Sequence, residues 1–415
     1  MIFNLTKKLN FTSIYYTIFE GLAKGGNQLL LVIIATFINK ELYLKLMLLI
    51  SLEALITMSF FSYYVDVLYS YKKNKIKTLF SGFFDFSIIQ ILLYIGIYFL
   101  FQKQINQYYN YNLHYVILFI IGNAFVTTIV NYISVSLQIS ANHKLAIQYK
   151  SIPFFLSFVF CIVFFLTFDD KVLAFFLGKF SGISIFFIFF FIKNKLYKNI
   201  FKFKSIHFIS LLKRVKYSMI IAFIGWGTGL GFLNFSKIYS GSEQQLLALG
   251  LLLNMFSMIQ LLSNGINQVY VPKLKELLAQ SMADARTYTK SIKFMYIKVA
   301  GGLLVLALLL LIVRNLIPGI LPKIDNTFIY SLCFVILVFF LNIFQWISAP
   351  YLMILDKYKY YFFLKLSSNA VSWILMLSLI YLFHMNNFII FYFIIQLINS
   401  FTVYYFVNVK YLKNV

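Results

Sequence analysis

The sequence predicts an all-α integral membrane protein, and three observations lead to that prediction. Hydrophobic residues make up 61% of the 415 residues, and only 12% are charged. The mean hydropathy is +0.85, which excludes an ordinary soluble domain. The apolar runs have the length of membrane-spanning helices, whereas the strands of outer-membrane barrels are alternating segments of about ten residues. We therefore expect a multi-pass helical protein.

Polar and charged clusters divide the chain into about twelve predicted transmembrane helices. Their ranges are 11–38, 42–64, 78–101, 114–137, 152–168, 172–192, 216–239, 246–270, 292–313, 327–354, 361–383 and 388–409. The connections between them are short, so we expect no soluble domain. The longest connection separates two sets of six spans, an arrangement typical of transporters built around a central cavity. The predicted domains are a six-helix bundle over 1–192, a basic cytoplasmic connection over 193–216 and a second six-helix bundle over 217–415.

The basic residues predict the orientation, because cytoplasmic loops carry the excess of Lys and Arg. Most of the 36 Lys and Arg residues fall on one side when the N-terminus is placed in the cytoplasm. Both termini are therefore predicted to be cytoplasmic. The formal charge of +24 is then mostly a topology signal and an attraction to anionic lipid head groups, and we expect no nucleic-acid partner.

The first span carries a polar face of its own. At about 100° per residue, one arc of the helix collects its polar and charged residues. They are Ser13, Tyr16, Thr17, Glu20, Lys24, Asn27 and Gln28. Lys24 would lie near the bilayer midplane, where a charge must face protein, water or a polar substrate. The alternative is a plain ion pair, since Glu20 and Lys24 lie one turn apart.

Other spans also carry charges, and an intramembrane charge is a functional-site hypothesis by default. Lys179 lies about seven residues inside the sixth span, and Glu53 lies mid-way along the second. A lone carboxyl at that depth is expected to be protonated or paired. Asp85 lies nearer the cytoplasmic side and is either a functional group or a cap. Lys237 and Lys365 lie near span ends, and we expect Lys365 to snorkel to the interface.

Amide and hydroxyl stripes follow the fourth and eighth spans at three- and four-residue steps. The stripes are Asn123, Thr127, Asn131, Ser134 and Gln138 in the fourth, and Ser257, Gln260, Asn264, Asn267 and Gln268 in the eighth. They are either the lining of a cavity or interhelical hydrogen-bonding groups. If these polar groups line a cavity, the predicted lining residues are Asn27, Gln28, Asn131, Gln138, Gln260, Asn264 and Asn267.

The seventh span contains a run of alternating glycines from Gly225 to Gly231. Their spacing suits either a close approach of two helices or a bend. No catalytic constellation and no Cys/His cluster is visible in the sequence, so we expect neither an enzyme nor a metal site.

Several junctions resemble the polysaccharide exporters of the multidrug/oligosaccharidyl-lipid/polysaccharide (MOP) superfamily, in particular the O-antigen (Wzx-type) flippases. The stretches that carry the resemblance are Leu262-Ser-Asn264-Gly-Ile-Asn267-Gln268-Val-Tyr-Val-Pro272-Lys273-Leu, Asn27-Gln28-Leu-Leu-Leu, Asn234-Phe-Ser-Lys237 and Pro350-Tyr-Leu-Met-Ile-Leu-Asp356-Lys357. Span count, spacing and orientation extend it over essentially the whole chain. One departure is Lys237, where relatives often have an acidic residue, so no acid can be assigned a role there.

The resemblance implies a MATE-like, V-shaped transporter of two bundles in the bacterial inner membrane, active in lipopolysaccharide biosynthesis. Its cargo would be an undecaprenyl-diphosphate-linked oligosaccharide, flipped from the cytoplasmic to the periplasmic leaflet. Lys24, Lys179 and Lys237 are the candidates for binding the diphosphate, and Glu20, Glu53 and Asp85 are those for ion coupling. No cofactor is expected beyond a proton or sodium gradient.

Besides the cargo, the expected partners are membrane lipids and the polysaccharide polymerase machinery. Two alternatives stay open at this stage. One is a multidrug/cation antiporter of the same fold, against which the deep cations argue, because they would repel a cationic cargo. The other is a membrane polymerase or acyltransferase of the same pathway, which would normally show a large outward loop or a catalytic His/Arg set.

Overall fold

The structure is a computed structural model, and its fold is entirely helical in the part that it describes. That part comprises residues 31, 34, 38–59, 76–139, 143–193, 216–217, 219–239, 242–316, 326–355, 357–384 and 387–412. It contains seven helices long and apolar enough to cross a membrane, or up to nine if each of two bent helix pairs is one span. The prediction of an all-α, multi-pass membrane protein is therefore confirmed.

The described residues fall into two compact units, one that ends at Trp226 and one that begins at Gly227. The first unit contains α1 (Lys40–Ser59), α2 (Ile76–Leu100), α3 (Gln102–Tyr109), α4 (Val116–Ile139), α5 (His143–Thr167), α6 (Lys171–Lys193) and α7 (Met219–Gly227). The second contains α8 (Gly231–Tyr239), α9 (Glu243–Gln280), α10 (Met282–Leu316), α11 (Asn326–Ile354), α12 (Tyr358–Phe383) and α13 (Phe388–Val407). The predicted domain boundaries stay predictions, since almost all of 193–216 lies outside the described residues.

In the first unit, α4 is the central helix and contacts α1, α2, α5 and α6. The antiparallel pair α5 and α6 makes the most extensive helix contact of this unit. Helix α2 is followed, after Phe101, by the short polar helix α3, which turns away from it by 81°. Asn110 ends α3 in the left-handed region with φ of 49°, a conformation that Asn tolerates better than most residues.

In the second unit, α11 is the central helix and contacts α9, α10, α12 and α13. The hydroxyl groups of buried tyrosines connect α9 and α10 to α11 by hydrogen bonds. The Thr289 hydroxyl lies 3.1 Å from that of Tyr270 and 2.6 Å from that of Tyr351, while Tyr270 also donates to the Ile347 carbonyl at 2.9 Å. A hydroxyl buried in a bundle needs such partners, so these bonds fix how the three helices align.

The helices α9 and α10 are much longer than the predicted spans. We predicted that the eighth span ends at residue 270, but α9 continues through Pro272 to Gln280. Only Ser281 is extended before α10 begins at Met282. The predicted spans stopped at polar residues, because hydropathy detects only the apolar part of a helix and not the polar turns that continue it. Pairs such as Lys273 and Glu276, whose charged atoms lie 2.9 Å apart, suit a helix that continues into water.

The glycine run marks a break in a helix. Helix α7 ends at Gly227 and α8 begins at Gly231, with a turn between them. A Cβ added at Gly225 would meet nothing within 4 Å, and one at Gly227 would meet only the Phe235 ring edge at 3.9 Å. The prediction of a close helix approach is therefore wrong at these two glycines. The structure contains the other predicted alternative, a bend where the helix is interrupted.

Candidate functional site

A buried ion pair joins α1 to α6 in the first unit. The Lys179 Nζ atom lies 2.6 Å from Glu53 Oε2 and 2.8 Å from Glu53 Oε1, so the ammonium group contacts both carboxylate oxygens. The side chains are only 11% and 8% exposed, respectively. Asn123 of α4 donates its amide to Glu53 Oε1 as well. Three helices therefore converge on one carboxylate.

The close contact of α5 and α6 fixes the position of Lys179. A Cβ added at Gly178 would lie 2.6 Å from Cys161 Cα, and one at Gly182 would lie 2.3 Å from the Ser157 backbone nitrogen. Only glycine lets the two backbones approach this closely. Lys179 lies between these glycines, its carbonyl accepts a hydrogen bond from the Ser157 hydroxyl at 3.3 Å, and its ammonium group extends to Glu53 of α1.

The electrostatics of this pair depend on its burial. Removing water strengthens the attraction between the charges but makes either charge costly without the other. The ammonium group also lies 5.5 Å from the centroid of the Phe175 ring, at a distance that suits a cation–π contact. Asn123 Oδ1 is buried without a hydrogen-bond partner among the described residues. The site thus contains a neutralised cation, a neutralised carboxylate and one unused oxygen acceptor.

The second unit buries a cation that has no matching anion among its described residues. Lys365 of α12 is 9% exposed, and within the described part of the chain its ammonium group has no ion-pair or hydrogen-bond partner. A snorkelling side chain would expose its charged end, so that expectation is wrong. The side chain lies instead on the face of α12 that packs inside the unit. Among the residues whose side chains the structure describes, Glu53 is the one buried carboxylate, and Lys179 already neutralises it.

No family model matches the sequence, and no curated protein matches it. Solved structures do match over nearly the whole chain. The MATE multidrug transporter DinF-BH is 13% identical, with a TM-score of 0.70, and the match covers 97% of this chain and 95% of that one. The MATE transporter VcmN from Vibrio cholerae is 13% identical, with a TM-score of 0.67 and coverage of 98% and 97%.

This chain has a MATE-like fold. A MOP-superfamily transporter from Pyrococcus furiosus, whose structure is described as having a binding pocket of reverse polarity, is also similar. It is 12% identical, with a TM-score of 0.66 and coverage of 97% of this chain and 95% of that one. The structures that share the MATE-like fold are transporters, and at this identity the likeness concerns the fold.

Within the MATE-like fold, the predicted site residues have different surroundings. Lys179 and Glu53 lie together, whereas Lys237 is half-buried in the last turn of α8, in the other unit. Asn131 and Gln260 are half-buried. Glu20, Lys24, Asn27 and Gln28 lie outside the described residues, as do the side chains of Asp85, Gln138 and Asn264. The roles predicted for all of these residues stay predictions.

Several stripe residues form hydrogen bonds within the bundles of the MATE-like fold. Ser134 donates to the Ala146 carbonyl of α5 at 2.9 Å, and Asn267 accepts from the Tyr296 hydroxyl of α10 at 3.2 Å. At these positions the interhelical alternative describes what the structure contains. Among the described side chains of the predicted lining, Asn131, Gln260 and Asn267 are all half-buried.

Sequence reasoning missed two features of this site. It singled out Glu53 and Lys179 separately, and it offered Glu20 and Lys24 as the most obvious pair. It also passed over the spacing Gly178-x-x-x-Gly182, which is the signal of a close helix crossing. That motif brackets Lys179 and would have indicated a fixed position for it.

Proposed function

We propose that this chain is a MOP-superfamily transporter that flips an undecaprenyl-diphosphate-linked oligosaccharide from the cytoplasmic to the periplasmic leaflet by alternating access. The observation that supports the cargo is the balance of buried charge. Among the spanning residues whose side chains the structure describes, the buried Lys365 and the largely buried Lys179 accompany one buried carboxylate, Glu53, which Lys179 already pairs with. A diphosphate needs such cations, because in a low-dielectric site only opposite charge replaces its hydration.

The paired site suggests how binding could be coupled to an ion. A phosphate that takes the Lys179 ammonium group displaces Glu53, and a displaced carboxylate would be left buried and charged. It would then bind a proton or a sodium ion, because an unpaired buried charge is costly. Cargo binding at Lys179 and ion binding at Glu53 would therefore favour each other, which is the differential affinity that an alternating transporter requires.

The other predicted residues have subordinate roles in the proposal. Lys24 and Lys237 add cations for the diphosphate, and Glu20 and Asp85 are further candidates for the coupled ion. The amides of Asn131, Gln260 and their counterparts would donate to sugar hydroxyls. The lipid tail would stay in the bilayer while the head group crosses.

Variants of Lys179 test this proposal. In a strain that lacks the chromosomal gene, we expect Lys179→Ala to abolish surface polysaccharide at equal protein level, because the diphosphate loses its cation. The double variant Glu53→Gln/Lys179→Met leaves no charge unpaired, so it is expected to fold and still fail. Full complementation by both variants would contradict the assigned role of Lys179.

The second candidate is a multidrug/cation antiporter, and the fold supports it equally, since several of the similar structures are multidrug transporters. A cationic drug needs an unpaired carboxylate, and among the side chains that the structure describes in the spans, the one buried carboxylate, Glu53, is already neutralised by Lys179. Resistance to cationic dyes on expression, with unchanged surface polysaccharide on deletion, would favour the antiporter over the flippase.

A further inference from the structure

We propose that the Lys365 ammonium group is an anion-binding site in the second unit. The anionic group is either a phosphate of a transported head group or a small inorganic anion. The inference rests on the proposed function for a transported phosphate and deepens it, since it assigns a class of ligand to one of the lysines on which that function depends. It begins from the burial of Lys365, which is 9% exposed in the described structure.

Lys365 belongs to a buried polar face of α12. Ser368, Asn369 and Ser372 follow it at three-, four- and seven-residue steps, so all four residues share one side of the helix. All four are at most 9% exposed. Such a face inside an apolar helix needs partners for every polar group, since the bilayer offers none.

The neutral members of this face satisfy one another. Asn369 and Asn399 of α13 exchange amide hydrogen bonds of 2.9 and 3.1 Å, and the Ser368 hydroxyl donates to Asn399 Oδ1 at 2.6 Å. Asn369 also donates to the Lys365 carbonyl at 2.6 Å. The backbone of Lys365 is therefore held in place, while its ammonium group has no partner in the described residues.

None of the described helices that pack against α12 has an acidic side chain. Helix α12 packs against α11 and α13 and, through Trp373, against Phe232 and Phe235 of α8, and these four helices contain no Asp or Glu. The contrast with Lys179 is direct, since Glu53 neutralises that lysine within its own unit. An ammonium group buried in this way must bind an external anion or lose its proton, because the charged form cannot stay unpaired at low cost.

The polar face favours the anion. Its serine and asparagine side chains follow the lysine along the same side of the helix, and none of them is a carboxylate that would compete for the ammonium group. Three N–H donors on one nitrogen suit the oxygens of a phosphate or a single halide ion. Because the rest of the face is already satisfied, the anion would depend on Lys365 alone.

Thermal unfolding of the full-length protein in zwitterionic lipid nanodiscs tests the site. The probes are chloride, inorganic phosphate and methylenediphosphonate, each added to a buffer whose only anion is gluconate. We expect the midpoint to rise by several degrees with an anion in the wild type, and much of that rise to be lost in Lys365→Met. Lys359→Met, which removes an exposed lysine from the same helix, is the matched control and should keep the full rise.

The responses to the different anions and variants distinguish a transported head group from a bulk anion as the ligand of Lys365. A response to methylenediphosphonate alone would assign the site to a transported head group, and an equal response to chloride would assign it to a bulk anion. Without added anion, Lys365→Met and Lys365→Gln should be at least as stable as the wild type, because each removes an unpaired charge. Equal anion responses in Lys365→Met and Lys359→Met would overturn the proposal, as would marked destabilisation of both Lys365 variants. The response of Lys365 does not depend on leaflet transport, so either claim can fail alone.

Discussion

At the scale of single residues, the Glu53–Lys179 pair is the main electrostatic feature of the described structure. Two nearly buried charges lie within 2.8 Å of each other, and a third residue, Asn123, holds the carboxylate from a different helix. Burial makes the pair mutually dependent, since each side chain is tolerated only in the presence of the other or in its neutral form. The same dependence makes the pair a plausible point of exchange for cargo and ion.

A double-mutant cycle measures that dependence. Removal of one partner from a buried pair costs about 3–5 kcal/mol, so Lys179→Met alone and Glu53→Gln alone should each lower the unfolding midpoint strongly. The double variant should recover most of the loss, because it contains no unpaired charge. Thermal unfolding of the purified protein gives the coupling energy.

Helix α1 offers a matched control for this cycle. Lys45 and Glu41 form an ion pair of 2.9 Å whose side chains are 22% and 59% exposed, respectively. Their neutral variants should change stability far less than those of the buried pair, because solvent screens an exposed ion pair one turn apart. If Lys179→Met were no more destabilising than Lys45→Met, the buried pair would not be an interdependent site.

At the scale of elements, the crossing of α5 and α6 determines where the cation lies. Gly178 and Gly182 face the backbone of α5 at Cys161 and Ser157. Cys161 is itself fully buried and donates its thiol to the Phe175 carbonyl of α6 at 3.3 Å. Any side chain at either glycine would push the helices apart and move Lys179 relative to Glu53.

Gly182→Ala tests this crossing. The added Cβ would lie 2.3 Å from a backbone nitrogen, which cannot rotate away, so we expect a loss of about 1–3 kcal/mol in stability and weaker transport. Gly96→Ala is the control, because a Cβ there meets nothing within 4 Å and alanine favours a helix by about 1 kcal/mol. Equal stability of the two variants would show that α5 and α6 can separate without cost.

The elements also show which features sequence could predict. Apolar length predicted the all-helical, multi-pass class, since hydropathy and helix rise alone indicate it, while the count of twelve spans stays a prediction beside the seven to nine in the described residues. Partners could not be predicted in the same way: Glu53 and Lys179 are 126 residues apart and meet only because α6 packs on α5 through Gly182. Lys365 was misjudged for the same reason, because its sequence position near a span end does not reveal which face of α12 is buried.

At the scale of the whole molecule, the MATE-like fold and the positive excess of buried charge suit a transporter of an anionic cargo. One unit contains a neutralised lysine and the other a lysine with no described counter-ion. A charge pattern of this sign would repel a cationic drug and attract a diphosphate. This charge pattern is our reason for proposing the flippase, while the fold supports the antiporter equally.

Leaflet-resolved detection of the lipid-linked oligosaccharide in a strain that lacks the gene tests the central claim most directly. The account predicts that single lipid-linked repeat units accumulate in the cytoplasmic leaflet, and that the wild-type gene restores their appearance in the periplasmic leaflet. Loss of a polymerase would instead leave the units on the outer face. Normal appearance of the precursor in the periplasmic leaflet, with no other flippase to compensate, would contradict the account.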